Sequence, residues 1–458
     1  MSSQLAGPGI SSGPAGGARR GRRRRWLWLV VPLAVIGVLV AVVIPAGQRA
    51  IDVLSGRQVE REIERIKAQG EPVTIRDIIP PPVPDDQNAA VLYQKAFAYL
   101  PQSGFDDNLR AFLSRDPVEE AKASRQSVKA DLAMCAPAIR FLEEASRRPA
   151  CRFPVQWEKG FDVTFPHLPK VGNAVCLLAA RALLSAEHGD PQSALEDIAT
   201  ILRIADHVAA EPSITAQLVR WSCQSIALNS LNRCMHASPL SPADCESLHA
   251  PLSAVDETRS FVRAMQAQRA TWVSVYSRMR AGGAWWRDTV ILNLDEPIAL
   301  RAWGRQVALS RRPFSDAKEG LDALCREARE LPRYAAVSKL IFPCFARASA
   351  SRDRAMARIG LAQWGLALRV YQVKMGRYPD SLDEVRNVVG WKLPGDVFSG
   401  KDLVYRREGR GYLLYSIGEN FRDDVGMDNE SWQRQWKPGK PWLPKDKRPD
   451  DIIWRMPR

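Results

Sequence analysis

A chain of 458 residues with 46% hydrophobic content can bury a substantial core, which excludes a small disulfide-stapled scaffold and a wholly disordered polymer. Part of the net charge of +14 is local, because Arg19, Arg20, Arg22, Arg23, Arg24 and Arg25 precede Trp26 with no acid among them. Beyond that block Lys and Arg are interleaved with Asp and Glu, a mixed solvated surface that points away from nucleic acid as a partner.

Residues 1–25 read as a disordered, basic cytoplasmic tail, rich in Gly, Ser, Pro and Ala before the arginine block. Residues 26–46, WLWLVVPLAVIGVLVAVVIPA, carry no charge and are long enough as a helix to cross a hydrocarbon core of about 30 Å. Trp26 and Trp28 suit the interface, and the arginines before them resist translocation. The expectation is a single-pass anchor in the inner (cytoplasmic) membrane, with the N-terminus cytoplasmic and everything after Gly47 exported. A cleavable signal peptide ending at Ile44-Pro45-Ala46 is the competing reading, but the apolar run exceeds the usual signal core of about 7–15 residues.

Residues 47–85 should form a helical stalk and a connector. Ile51, Val59, Ile63 and Ile66 fall close to one helical stripe, Gly70 is placed to end it, and Pro80-Pro81-Pro82-Val83-Pro84 cannot continue a helix. Helix starts then recur at Asp116-Pro117 with Glu119, at Asp190-Pro191, and at Ser241-Pro242 with Asp244. In each, an oxygen side chain can cap free amides and proline suits the first turn. Apolar residues return every three or four positions between them, so 86–348 is expected to be an all-α body. The segment Ala182–Leu195 is similar to the helix junction of a tetratricopeptide repeat, but no second copy follows, and a plain helical hairpin is the simpler reading.

The residues that usually carry chemistry give no local signature. His167, His188, His207, His236 and His249 form no HExxH-type pair, and the eight cysteines contain no CxxC. Export would permit disulfides, and zero to two bridges are expected, because most of the thiols lie in apolar helical patterns. No GxSxG elbow, phosphate loop or dinucleotide fingerprint occurs. The acid pairs Glu119-Glu120, Glu143-Glu144 and Asp295-Glu296 are read as lying at helix starts or on exposed faces. Trp272, Trp285, Trp286 and Trp303 are read as packing anchors, with a docking surface as the alternative.

Near the C-terminus, the stretch 349–374 carries apolar residues over more than half of its circumference, so that helix should be covered by other structure; Gly376 ends it and Tyr378-Pro379 turns the chain. Leu403–Arg406 and Tyr412–Ser416 read as a hairpin around Glu408-Gly409-Arg410-Gly411. Asp450–Trp454 reads as a docked strand within a Trp-rich basic tail, 431–458.

The order helix, Tyr371, Gly376-Arg377-Tyr378-Pro379, Leu382, Leu393-Pro394, Phe398-Ser399-Gly400-Lys401, Tyr405, Tyr412 and Ser416-Ile417-Gly418 resembles the soluble part of the major pseudopilin of type II secretion. It is also similar to uncharacterised, membrane-anchored bacterial proteins carrying such a module behind a helical region. The resemblance spans roughly 350–430. The anchor departs from it: it begins Trp26-Leu27-Trp28, lacks the glutamate of the pseudopilin processing motif, and is separated from the module by the body. Val397 and Val425 stand where such modules often show Pro and Gly. The resemblance implies a calcium site in the C-terminal loop, for which Asn420, Asp423, Asp424 and Asp428 are the candidate ligands; an Asn/Asp-rich turn needing no ion is the alternative.

The expected fold is therefore mainly α: one transmembrane helix, an all-α body, and a small α+β module over 349–430 with a long helix packed on a short antiparallel sheet. The expected function is that of a non-enzymatic scaffold or interaction component of the envelope, related to secretion, held to the membrane through 26–46 and to an unknown protein partner. The alternative is a hydrolase-like envelope enzyme whose site is assembled from acids distant in sequence.

Overall fold

In the computed structural model, residues 44–101, 107–114, 116–281, 286–341, 345–436, 443–444 and 447–456 are described, together with Gly37. The basic tail and the apolar span expected over 26–46 lie outside them, apart from Gly37 and from Ile44–Ala46; the first helix opens at Ile44.

All three Pro-marked starts begin helices. Asp116 accepts from the Val118 amide at 2.9 Å, Asp190 from Ser193 at 3.1 Å, and Ser241 exchanges bonds with Asp244 in a capping box. The helices of eight or more residues are α1 (Ile44–Ala68), α2 (Ala89–Phe97), α3 (Arg125–Met134), α4 (Ala136–Ser146), α5 (His167–Glu187), α6 (Pro191–Ala209), α7 (Ile214–Ala237), α8 (Pro242–Ser253), α9 (Glu257–Ala281), α10 (Trp286–Ser310), α11 (Phe314–Glu330), α12 (Phe345–Met375) and α13 (Leu382–Val389). The fold is mainly helical, with one small antiparallel sheet near the C-terminus.

Helices α5, α6 and α7 pack on one another, and the α5–α6 junction is a plain hairpin turning at Gly189. Helix α5 is long and apolar enough to cross a membrane by length and composition, yet 61% of its apolar window is buried inside the protein. Its buried residues, among them Val175, Leu178 and Leu184, belong to the main core.

The sheet has the order β1-β2-β3, from β1 (Val404–Glu408), β2 (Gly411–Ser416) and β3 (Ile452–Met456). Tyr405 and Trp454 flank Leu414 in register, and every residue of β2 is buried. A central strand covered on both faces needs no polar side, which is why Tyr412–Tyr415 reads as a continuous aromatic and aliphatic run. The docked strand expected at Asp450–Trp454 is β3, whose pairing runs from Ile452 to Met456.

Helix α12 joins the sheet to the rest of the chain. It packs against β2 and β3, and also against α7, α8, α9 and α11. Its double apolar stripe is thus covered from two sides: Trp364, Leu366, Leu368 and Tyr371 lie in one core cluster with Tyr93, Leu178, Leu231, Leu414 and Trp454. A second cluster, around Trp221, Phe261 and Trp303, holds α7, α9 and α10 together. Trp303 is fully buried and Trp272 half-buried, so both pack; Trp285 and the side chain of Trp286 lie outside the described residues.

The stalk does not stand free of the body. Val59 and Ile66 of α1 pack against Val273 of α9 and Leu300 of α10, and the Asn293 amide donates to Asp52 at 2.8 Å. Within the connector, Ile75–Ile78 forms a helical turn whose two isoleucines are buried beside Trp157 and Ala270. Cys135, Cys151, Cys176, Cys223, Cys234 and Cys245 are free thiols. Burial pushes Cys223, Cys234 and Cys245 up to about 12.

Candidate functional site

The landmarks of the C-terminal signature serve turns and packing. Gly376 ends α12 with φ 76°, and the Tyr371 hydroxyl donates to Glu384 at 2.5 Å. Tyr405 donates to the Pro379 carbonyl at 2.7 Å, and the Trp364 indole to that of Pro394 at 2.7 Å. Asp396, which sequence reasoning did not single out, is buried and accepts from the Ser416 hydroxyl at 2.6 Å and the Phe398 amide at 3.1 Å.

The four candidate calcium ligands follow the same rule. The Asn420 amide donates to Asp424 at 2.7 Å, and its carbonyl accepts from the Arg422 backbone at 2.9 Å. Asp423 accepts from the Tyr415 hydroxyl at 2.9 Å and the Val425 amide at 2.8 Å. Asp424 takes the Arg422 guanidinium at 2.7 Å and the Asp450 amide at 2.9 Å. Asp428 caps the helix Asn429–Gln435 by accepting from Ser431 at 2.6 Å.

Each of the four thus has a protein donor, and a calcium ion there would need six to eight oxygens brought to one point. Among the described residues no group of three or more His, Cys, Asp or Glu is placed to hold a metal ion. The carboxylate that organises the loop is Asp451, which accepts from the amides of Gly426 at 2.7 Å, Met427 at 3.2 Å and Asp424 at 3.3 Å. Burial pushes its pKa up to about 6 against those three bonds, with the neighbouring Asp424 charge adding to the rise. Phe421 and Val425 hold positive φ angles of 56° and 61°, conformations that favour glycine.

Asp295 and Glu296 correct the sequence reading. Both are fully buried in the interior of α10, not on an exposed face. Asp295 accepts from the amides of Val337 at 2.9 Å and Ser338 at 3.3 Å and from the Ser338 hydroxyl, while Glu296 pairs with Arg280. Burial raises the pKa of each against these partners. Glu143 does pair with Arg181, which also holds the buried Asp197.

Glu257, the one acid of α9, is buried and accepts from Arg220 at 3.0 Å, the Trp221 indole at 2.7 Å and Gln224 at 2.6 Å. The histidines stay apart in function: His207 bridges the Tyr93 hydroxyl and the Arg148 carbonyl, His167 meets Glu211 at 2.7 Å, and His236 meets the Arg455 carbonyl at 2.8 Å.

Among the described residues side chains face several cavities, and two of these carry ion pairs. One is a narrow seam of about 80 Å³ between α7, α12 and β3, in which Arg354 pairs with Asp450 and, at 3.4 Å, with Glu419. It locks the sheet to the body. The other is a cleft of about 530 Å³ between α1, α9 and α10, lined by Arg65, Gln69, Glu71, Arg269, Gly304, Arg305, Val307, Ala308 and Arg311. Arg269 is buried, with its guanidinium 2.8 Å from Glu71 and donating to the Pro72 carbonyl at 3.2 Å. Glu71 also takes Arg311; Arg65 meets Glu62 at 2.9 Å, and Arg305 meets Glu327 at 2.6 Å.

Arg65 lies across α10 where Gly304 leaves room, because a Cβ there would stand 2.6 Å from its Nη2. No local spacing announces this cleft, since its arginines come from three helices brought together only by packing. No family model, curated protein or solved structure matches the chain.

Proposed function

We propose that the chain is a single-pass, membrane-anchored envelope protein acting as a non-enzymatic scaffold or interaction component. In this reading residues 26–46 span the inner membrane, the N-terminus is cytoplasmic, and the body and sheet present an exported surface to a protein partner. The observation that carries it is the seating of α1: the helix that continues from the apolar segment is packed into the body through Val59 and Ile66, a rigid mount and not a loose tether. A mount of that kind fixes the distance and orientation of the body relative to the bilayer. The likeness of the C-terminal region to pseudopilin soluble domains belongs to the same proposal, and the packing of β2 and β3 on α12 favours it.

The enzymatic reading draws on Asp295 and Glu296, neighbouring buried carboxyls with raised pKa values. Against it, their oxygens are engaged by Ser338, Val337 and Arg280, and neither lines the seam or the arginine cleft.

Because α12 is shared between body and sheet, deleting it would unfold both, so the test uses the full-length chain. Affinity purification from mildly solubilised membranes is compared between the wild type and a Val373→Asp/Met375→Asp variant, which alters two exposed apolar residues at the end of α12. A reproducible partner depleted by the variant supports the reading. Recovery of the protein alone, in repeated preparations and after cross-linking in intact membranes, ends it.

A further inference from the structure

We propose that the cleft between α1, α9 and α10 is a binding site for a phosphate-type oxyanion, gripped by Arg65, Arg269 and Arg311. The site stands independently of the scaffold reading.

Among the described residues, four arginines and one glutamate line the cleft. Like charges brought together repel, and at short range in a partly desolvated wall the repulsion is not negligible. Glu62 and Glu327 relieve Arg65 and Arg305, each through one ion pair. The single carboxylate of Glu71 is left to serve both Arg269 and Arg311. A guanidinium offers five N–H donors in a planar fork, so one shared carboxylate leaves donors on both side chains for a further acceptor.

A phosphate matches this set better than a second carboxylate, since it brings up to two charges and several acceptor oxygens to guanidinium forks. Arg269 adds the argument of cost. Its guanidinium is buried and its pKa is lowered first by that burial, so a nearby anion would stabilise a charge that the protein otherwise holds at a penalty. The volume of about 530 Å³ exceeds what a bare anion fills and lies within the ordinary range of small-molecule sites. Val307 and Ala308 supply apolar wall for an organic moiety attached to the phosphate.

The phosphate could belong to a free ester or to a lipid headgroup. Arg65 sits on the same helix that begins at Ile44, roughly 32 Å along its axis at 1.5 Å per residue. With α1 standing along the bilayer normal, the cleft lies beyond the headgroups and takes a free phosphate ester; with α1 lying in the interface, it reaches a lipid.

The test uses the full-length protein in neutral detergent. Isothermal titration with sodium pyrophosphate forms one arm, and mixed micelles of phosphatidylglycerol against phosphatidylcholine form the other. Saturable binding is expected in at least one arm. It should weaken at least tenfold in Arg311→Gln and in Arg65→Gln, whose side chains are half exposed, and stay unchanged in Arg407→Gln, an arginine of β1 outside the cleft. Gly304→Ala keeps every charge but displaces the Arg65 guanidinium, and should weaken binding several-fold with the melting temperature retained. Binding in the first arm identifies a free ester, and binding confined to phosphatidylglycerol micelles identifies a headgroup. Absence of saturable binding in both arms, or equal affinity in the wild type and the Arg311→Gln and Arg65→Gln proteins, overturns the proposal.

Discussion

The indole of Trp454 on β3 occupies the space above Gly365 of α12, so closely that a Cβ on the glycine would come within 2.5 Å of the indole Nε1. This contact places the final strand on the long helix and draws the sheet into the main core. Gly365→Ala should therefore overpack the junction and cost about 1–3 kcal/mol. Trp454→Ala should cost about 3–5 kcal/mol by emptying it. Chemical denaturation of the two variants checks the order; a Gly365→Ala protein as stable as the wild type would show that the strand sits elsewhere.

Val425 holds a left-handed conformation that a β-branched residue adopts only under constraint, and its side chain is exposed. The constraint comes from Asp423, which fixes the Val425 amide, and from Asp451, which fixes the next two. Val425→Gly should stabilise the protein by about 1 kcal/mol, since the strain released exceeds the flexibility given to the unfolded chain. A lower melting temperature for this variant would refute the account.

Asp451 titrates near pH 6 in the folded chain, above its ordinary value of about 3.8. A carboxyl whose folded pKa is raised contributes stability that is fully present below about pH 4 and is lost as pH rises through about 6. Asp451→Asn carries no charge at any pH. Its melting temperature relative to wild type should therefore rise between pH 4 and pH 7 and level off above. A difference that stays constant across this range would show that Asp451 does not titrate there.

Each of Asn420, Asp423, Asp424 and Asp428 already accepts from a protein donor. Millimolar calcium should accordingly leave the melting temperature where chelator leaves it. A rise of several degrees would establish a calcium site in this loop. Asp428→Ala should cost about 1 kcal/mol through its lost helix cap, with or without calcium.

Thiolate is the reactive form of cysteine, and burial holds Cys223, Cys234 and Cys245 in the thiol form. Native protein should label first at the half-buried Cys176, and the buried cysteines should react only on unfolding. Mass spectrometry of partially labelled protein gives the order.

Local rules were legible in the sequence where the physics is local. The caps at Asp116, Asp190 and Ser241 depend on a side chain and an amide two or three residues apart. The hairpin at 404–416 and the end of α12 at Gly376 depend on turn chemistry of the same range. Helix α12 betrayed its burial by its double stripe, though not by what.

Asp295 and Glu296 were misread for the opposite reason. An acid pair in a helix looks solvated unless its partners are known, and Ser338 and Arg280 stand on other elements. The four calcium candidates came from the resemblance of the C-terminal loop, and their contacts with Arg422, Tyr415, Asp450 and Ser431 were set by the fold.

By itself, then, the sequence determined a mainly helical chain with capped helix starts, a small C-terminal sheet and an uncharged stretch at 26–46, because periodicity, capping and turn preference act over a few residues. Only the tertiary structure decided that one core runs from Tyr93 to Trp454 through α12, that the stalk is seated on α9 and α10, and that Arg65, Arg269 and Arg311 share one cleft. Those outcomes rest on contacts between segments far apart in the chain, which packing selects and no local spacing records.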